Sequence, residues 1–137
     1  MRVHVTGIGI VSALGGDAPT TMAALLRGET GIRPFTLFDL EGKRVEVAAT
    51  VAAVQRREGW SRTDCLALAA AREALGGLSE VDLLVVGGTT GGMLESEAAL
   101  AAVTRDADAA VATDCGRGHP LSAVGSRLAE TIAVADR

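Results

Sequence analysis

SRTDCLALAAAREALGGLSEVDLLVVGG, residues 61–88, contains a helix signal followed by a buried-strand signal. Ser61 with Asp64 three residues later resembles a capping box in which Asp takes the place of Glu. Gly76 and Gly77 supply a stop signal at the helix C-terminus. We therefore predict a helix over residues 61–75, with an alanine-rich body that can pack closely on more than one side.

Two apolar runs flank that helix in the sequence. Residues 2–11 (RVHVTGIGIV) and residues 81–88 (VDLLVVGG) are rich in β-branched and aliphatic side chains and lead into glycines, which is typical of strands buried on both faces. A strand, a helix and a second strand over this length form a right-handed crossover. We predict an α/β fold with a parallel βαβ core, in which the strands 2–11 and 81–88 are neighbours.

Weaker signals divide the rest of the chain. They predict a helix over residues 21–27, started by Asp17, Pro19 and Thr20 and ended by Gly28, and then an irregular excursion over residues 29–44. A short strand over 45–51, a helix over 93–103, a loop over 104–118 and a last helix over 119–132 follow. We find no repeat or linker, so we predict one domain over residues 1–137.

Composition excludes several classes of function. The chain has 13 Lys plus Arg against 17 Asp plus Glu, and without a basic run this balance disfavours nucleic-acid binding. No apolar stretch reaches bilayer length and no signal peptide is recognisable, which favours a cytoplasmic protein without a membrane span. Cys65 and Cys115 lack CxxC spacing, so we predict no disulfide and no metal site, and nothing indicates a cofactor.

Gly7, Gly9 and Ser12 superficially match a dinucleotide-binding fingerprint, in which glycines let the backbone approach a pyrophosphate. The match fails because Ser12 replaces the third glycine and no helix starts directly afterwards. No acidic residue ends a second strand at the expected distance either. We favour a tight turn at the end of a core strand over nucleotide binding.

Three segments taken together resemble a known family. VTGIGIVSALG (5–15), the helix segment 61–77 and VDLLVVGGTTGGMLE (81–95), in this order and spacing, are similar to the N-terminal part of the β-ketoacyl-acyl-carrier-protein synthases of the thiolase superfamily. The resemblance implies a thiolase-like fold, of which this chain is an incomplete N-terminal half. For the complete enzyme it implies decarboxylative condensation of acyl and malonyl thioesters in fatty-acid or polyketide biosynthesis, with acyl carrier protein as partner.

The family's nucleophilic cysteine lies in a Thr-Ala-Cys stretch and is followed much later by two histidines, and none of the three occurs in these 137 residues. The resemblance therefore implies no catalytic residue here, and whether the chain alone is an enzyme stays open. Cys115 has Arg117 and His119 nearby, so a Cys–His pair is conceivable, but we favour a surface-loop cysteine. Cys65 fits a small core residue.

The glycine-rich loop after the second strand is the candidate site. In the family this loop lies near the acyl-binding pocket and the dimer interface, which implies such a role for Thr89, Thr90, Gly91 and Gly92, with Thr90 bounding the pocket. The alternative is a plain strand-to-helix turn that needs glycines for its backbone angles, and we place it slightly ahead for the chain in isolation.

The remaining titratable residues receive structural interpretations. We expect His4 to be a sheet residue and His119 to open the last helix, so neither inherits the family's histidine role. Asp64 and Glu95 fit a helix cap and a first-turn charge better than an acid–base pair.

Two parallel strands alone leave open sheet edges, which favours association. We therefore expect a dimer or other homo-oligomer, or a complex with a complementary ketosynthase chain. The alternative function is a non-catalytic interaction subunit or degenerate partner of a complete ketosynthase.

Overall fold

A computed structural model describes residues 2–37, 40–52, 54–106 and 121–134. These residues form α1 (Ala18–Leu26), β1 (Ile32–Pro34), β2 (Val47–Ala49), α2 (Arg62–Leu75), β3 (Glu80–Val81), α3 (Met93–Asp106), α4 (Leu121–Thr131) and β4 (Ala133–Val134). The protein is therefore an α/β protein, and its described residues contain two small sheets. It divides into an N-terminal unit (Met1–Val54 with Ala69–Gly76) and a C-terminal unit (Gln55–Leu68 with Gly77–Arg137).

Helix α1 in the N-terminal unit begins where local chemistry places it. The Asp17 side chain accepts a hydrogen bond from Thr20 N at 2.7 Å, and Gly28 takes a φ of 71° just beyond the helix end. Thr21 and Ala24 are its buried residues. The predicted helix over 21–27 is confirmed, with its first turn three residues earlier.

Strands β1 and β2 form an antiparallel pair in the register Ile32 to Ala49 and Pro34 to Val47. β2 confirms the centre of the strand predicted over residues 45–51. β1 lies inside residues 29–44, for which we predict irregular structure, so that prediction is wrong at this point. Pro34 is tolerated because it is the last residue of a strand in a two-stranded sheet. A missing N–H at this position does not interrupt the ladder.

Helix α2 confirms the central sequence signal. Ser61 N donates to Asp64 Oδ2 at 2.8 Å and Asp64 N donates to Ser61 Oγ at 3.1 Å, which is the reciprocal geometry of a capping box. At the other end Gly76 and Gly77 take φ values of 58° and 105°, and Gly76 N donates to Glu73 O at 3.1 Å.

Residues 2–11 are not a strand, which corrects the predicted βαβ core. A Cβ atom on Gly7 would overlap the carbonyl oxygen of Ala74, and one on Gly9 would overlap that of Ala70. The segment therefore packs its backbone directly against the C-terminal half of α2. A ladder needs a neighbouring strand for its N–H and C=O groups, and the described residues provide none here.

Glu73 holds that segment in place through both carboxylate oxygens. Its Oε2 accepts from Ile10 N at 2.8 Å and its Oε1 accepts from Ala18 N at 2.7 Å. Between these points, Ser12 N donates to Gly15 O at 2.8 Å, which closes the expected tight turn. His4 is exposed and lies outside any sheet of the described residues, so its predicted place in a strand is wrong.

The C-terminal unit contains the parallel pairing, but with a different partner from the predicted one. β3 pairs with β4 in the register Glu80 to Ala133 and Val81 to Val134. The strand predicted over 81–88 is confirmed at Val81, whereas residues 82–88 are outside the ladders of the described chain. β4 is only two residues long, so within the described residues its ladder with β3 ends at Val81 and Val134.

Helices α3 and α4 complete this unit. α3 confirms the helix predicted over 93–103 and extends to Asp106, so residues 104–106 are helical instead of part of the predicted loop. The rest of that loop lies outside the described residues. α4 confirms the last helix from Leu121 onward, while residues 119–120 of the predicted helix are also outside them. Among its described residues, the buried apolar ones are Cys65, Leu68, Ala99, Val124, Leu128 and Ile132.

Candidate functional site

The glycine-rich loop joins residues 82–88 to α3 and contains the four predicted site residues. Thr89 and Thr90 are exposed, whereas Gly91 and Gly92 are buried. Gly92 has a φ of 57°, a left-handed conformation in which other residues are strained, and its carbonyl accepts from both Ser96 N and Ser96 Oγ at 2.9 Å. The loop therefore presents two threonines to solvent on a backbone turn that requires glycine at position 92.

Glu95 in the first turn of α3 connects this loop to the start of α2. Its Oε1 accepts a hydrogen bond from Arg62 N at 2.9 Å, which is one of the N–H groups that no helix carbonyl satisfies. Glu95 is thus a first-turn charge, as predicted, but it also caps the neighbouring helix. A carboxylate at a helix N-terminus is favourable because it meets the positive end of the helix dipole.

Asp64 is the most buried charged residue among those described, with 0% of its surface exposed. Its Oδ2 receives the Ser61 N–H and also forms an ion pair with Arg127 Nη1 on α4. The Arg127 side chain is 24% exposed, so the pair is largely shielded from solvent. Asp64 therefore fixes α4 to the first turn of α2.

Both carboxylates make hydrogen bonds at the start of α2, so the structure supports the interpretation of Asp64 and Glu95 as capping residues and not as an acid–base pair. Each uses one oxygen, while Asp64 Oδ1 and Glu95 Oε2 are buried without a hydrogen-bond partner in the described part of the chain. Within the same residues no three His, Cys, Asp or Glu side chains are grouped as metal ligands would be.

An apolar groove lies in the C-terminal unit between α4, β4 and the run that precedes the loop, and no predicted site residue lines it. It has a volume of about 390 Å³ and is lined by Leu83, Leu84, Val86, Ser122, Gly125, Ala129 and Val134. A Cβ on Gly125 would lie 3.9 Å from Val86 Cγ2, an ordinary contact distance, so α4 and the run before the loop are close at this point. The groove can accept apolar atoms, and Ser122 is its one hydroxyl.

The cysteines and histidines do not form a nucleophilic centre among the described residues. Cys65 is a free thiol that is 6% exposed inside α2, which confirms the prediction of a core residue. Cys115, Arg117 and His119 lie outside the described residues, so their predicted roles stay predictions. No described helix is long and apolar enough to cross a membrane.

Two residues that organise these regions, Glu73 and Arg127, are not among those predicted from the sequence. Their partners, Ile10 and Asp64, are each 63 positions away in sequence, so no local spacing could have identified the pairs. The one available signal was Arg127 beside Val124 and Leu128, a cation next to the buried stripe of α4.

Comparison with known proteins gives two curated relatives, and no protein-family model matches the chain. The chain is 37% identical over 132 residues to the oxytetracycline polyketide putative beta-ketoacyl synthase 1 of Streptomyces rimosus, covering 85% of this chain and 29% of that protein. It is 42% identical over 50 residues to the 3-oxoacyl-[acyl-carrier-protein] synthase 2 of Coxiella burnetii, covering 36% and 12%. The resemblance to the N-terminal part of the ketosynthases is confirmed, and the chain spans less than a third of the length of the curated relatives it matches.

Proposed function

We propose that this chain is the N-terminal segment of a β-ketoacyl-acyl-carrier-protein synthase with a thiolase-like fold. The observation that carries the proposal is the similarity to the Streptomyces rimosus relative over 85% of the chain. The capped helix α2 and the glycine turn before α3 support it, because both lie in segments that resemble the family. The complete enzyme condenses acyl and malonyl thioesters in fatty-acid or polyketide biosynthesis, and it takes them from acyl carrier protein.

In the complete enzyme, Thr89, Thr90, Gly91 and Gly92 border the acyl pocket and the dimer interface. Two features support this assignment. The exposed threonines leave their side chains free to meet another surface, and Gly92, with a φ of 57°, holds the turn in one conformation. The chemistry needs a cysteine thiolate that accepts the acyl group and histidines that stabilise the enolate left when malonyl thioester loses carbon dioxide.

We further propose that the 137-residue chain does not condense thioesters by itself. Cys65 supports this, because a thiol that is 6% exposed inside a helix is not accessible to an acyl-carrier thioester. The test incubates the purified chain with acyl- and malonyl-carrier protein and measures 3-ketoacyl product by mass spectrometry. We expect none above a protein-free blank. Product that disappears in a Cys115→Ala variant would overturn this part of the proposal.

A non-catalytic interaction subunit is the second candidate, and the exposed apolar runs favour it. Leu83 and Val85 are 76% and 80% exposed, and Val3 and Val5 are 84% and 81% exposed. Apolar side chains in a strand-like run are normally covered, so these surfaces fit contact with another chain. They fit contact with the rest of a longer chain equally well, so the association experiment below is what separates this candidate from the first. A homo-oligomer and a complementary ketosynthase chain are the two partners of this candidate.

Co-expression distinguishes the two candidates from each other, and it also shows whether neither of them holds. The chain is expressed with a ketosynthase segment that starts where the matched region ends, and separately with a complete ketosynthase. A complex with the segment alone supports the first candidate, and a complex with the complete enzyme supports the second. The DNA beyond codon 137 gives an independent answer, since a continuation with Thr-Ala-Cys supports the enzyme segment.

A further inference from the structure

The loop residues 89–92 are followed by two contacts in the first turn of α3. Ser96 donates to Gly92 O through both its N–H and its hydroxyl, each at 2.9 Å, which ties the loop to the helix. Glu95 Oε1 accepts from Arg62 N at 2.9 Å, although Arg62 lies 33 positions earlier in the sequence. This second contact fixes the end of the loop to another helix, α2.

The start of α2 is a well-anchored point. Asp64 is fully buried, accepts from Ser61 N at 2.8 Å and forms an ion pair with Arg127 of α4. α4 continues into β4, which pairs with β3, and the chain leads from β3 along residues 82–88 into the loop. Both ends of the loop are therefore connected to the same pair of helices, and Glu95 makes the connection at its C-terminal end.

The loop has little of its own to hold Thr89 and Thr90 in place. Both threonines are exposed, and the two residues after them are glycines, whose backbone has more conformational freedom than that of any other residue. Gly92 takes a φ of 57°, which is one of several conformations open to a glycine. A contact close to the glycines is needed to select it, and Glu95 lies in the first helical turn after Gly92.

We propose that Glu95 is a positioning residue that holds Thr89 and Thr90 by fixing the first turn of α3 to the start of α2. Its consequence for the reaction rests on the proposed function, in which this loop borders the acyl pocket. Glu95 then acts on the acyl pocket through the loop, without touching substrate. Loss of its contact should weaken the fit of the acyl group in every state of the reaction, which raises KM and leaves kcat nearly unchanged.

The order of the loop is measured on the full chain by NMR relaxation of backbone amides. In the original chain the order parameters of Thr89 and Thr90 should lie near about 0.85, the value of rigid backbone, and Glu95→Ala should lower them below about 0.6. Glu95→Gln keeps an oxygen that accepts from Arg62 N, so its values should stay close to those of the original chain. Glu97→Ala removes an exposed acid from the same helix and should change nothing.

A second pair of variants removes the same hydrogen bond from the donor side. Arg62 is the first residue of α2, where proline is tolerated because its missing N–H has no partner within the helix. Arg62→Pro should therefore loosen Thr89 and Thr90 as Glu95→Ala does, while Arg62→Ala, which loses the side chain but keeps the N–H, should not. Circular dichroism checks the helix content of each variant, and Arg62→Pro gives the answer if Glu95→Ala unfolds.

The effect on the reaction is measured after co-expression of each variant with the ketosynthase segment that starts where the matched region ends. Glu95→Ala should raise KM for the acyl-carrier substrate about fivefold, as expected for one lost hydrogen bond, and change kcat less than about twofold. Glu95→Gln should restore the original KM. A complex of the original chain without condensing activity would reject the proposed function alone, because the order parameters still decide whether Glu95 holds the loop.

Three results would overturn the inference. Unchanged order parameters of Thr89 and Thr90 in Glu95→Ala and Arg62→Pro would show that Glu95 caps α2 without positioning the loop. Equal loosening by Glu97→Ala would indicate a general effect of charge on α3. A fall in kcat with an unchanged KM would place the role of Glu95 in the chemical step instead of in the fit of the acyl group.

Discussion

Helix α2 and the run Leu83–Val86 are separated by only seven residues, and both carry clear sequence signals, but the structure treats them differently. α2 forms fully because the N–H groups at its start donate to the side chains of Ser61, Asp64 and Glu95. At its other end, carbonyls of the last turn accept from Gly76 N. The run has apolar side chains suited to a buried strand, yet Leu83 and Val85 are 76% and 80% exposed. A helix satisfies its backbone within itself, whereas a strand needs another strand.

The largest effect that tests this comparison is expected at Asp64. Asp64→Ala removes the capping box and leaves Arg127 partly buried without its partner, and breaking a buried ion pair typically costs about 3–5 kcal/mol. We expect the C-terminal unit of the variant to be mostly unfolded at 25 °C, as measured by circular dichroism and urea denaturation.

Two further variants make the Asp64 result interpretable. Asp64→Asn keeps an oxygen that can accept from Ser61 N–H but loses the charge, so its loss of stability should be intermediate. Glu97→Ala, an exposed acid on α3, should have little effect. If Asp64→Ala matched Glu97→Ala in stability, the polar contacts would not be what holds the start of α2.

The next effect concerns the packing of the first segment on α2. Gly7→Ala and Gly9→Ala each place a methyl group into a helix carbonyl, and overpacking of this kind costs about 1–3 kcal/mol. Gly87→Ala is the matched control, because a Cβ there has nothing within 4 Å. Urea denaturation followed by helical ellipticity should show a lowered midpoint for the first two variants alone.

The same urea midpoint for all three glycine variants would mean that residues 2–11 are not held against the helix. The tight approach to Ala70 and Ala74 would then carry no energetic weight.

A smaller change in stability but a clear change in association is expected from Leu83→Asp/Val85→Asp. Both side chains are exposed, so the folded chain should lose less than about 0.5 kcal/mol. Sedimentation velocity at low micromolar concentration should show less self-association than the original chain, because two charges replace an uncovered apolar run. Leu100→Asp, at a leucine that is 68% exposed on α3, is the control that should not change it.

A stable, fully monomeric original chain with cooperative unfolding would contradict that expectation. It would also remove the main physical argument for the interaction-subunit candidate.

The smallest effect is a pH dependence of α1. Hydrogen bonds from the Thr20 side chain and, second, from its backbone N–H lower the pKa of Asp17 below the ordinary value of 3.8. Because the folded pKa is depressed, the added stability is present above the unfolded pKa and disappears as the pH falls through the lower folded value. Asp17→Asn should keep a cap while removing this dependence, as measured by thermal unfolding between pH 6 and pH 3.

A difference between original and variant chains that did not change over that pH range would show that the Asp17 charge contributes nothing to the cap. At the other end of α1, the hydrogen bond from Arg27 lowers the pKa of Glu29. Glu29 is present in both the original chain and the Asp17→Asn variant, so its titration cancels in the difference between them.

The candidate site was predictable in part. The sequence alone located the glycine-rich loop at residues 89–92 and the structural use of Asp64 and Glu95, because glycines and first-turn acids act on their own neighbours. It did not indicate that Glu95 reaches Arg62 N or that Asp64 pairs with Arg127, since both contacts join residues on different helices.

The sequence by itself determined the helices α1, α2, α3 and most of α4, the tight turn after Ile10, and the resemblance to the ketosynthases. These depend on caps, glycines and apolar periodicity within a few residues. Only the tertiary structure decided the partner of each apolar run. Val81 pairs with Val134, whereas Gly7 and Gly9 lie against α2 and not beside a strand. Strand pairing is decided by partners distant in the chain, and nothing in a local run specifies whether such a partner will be present.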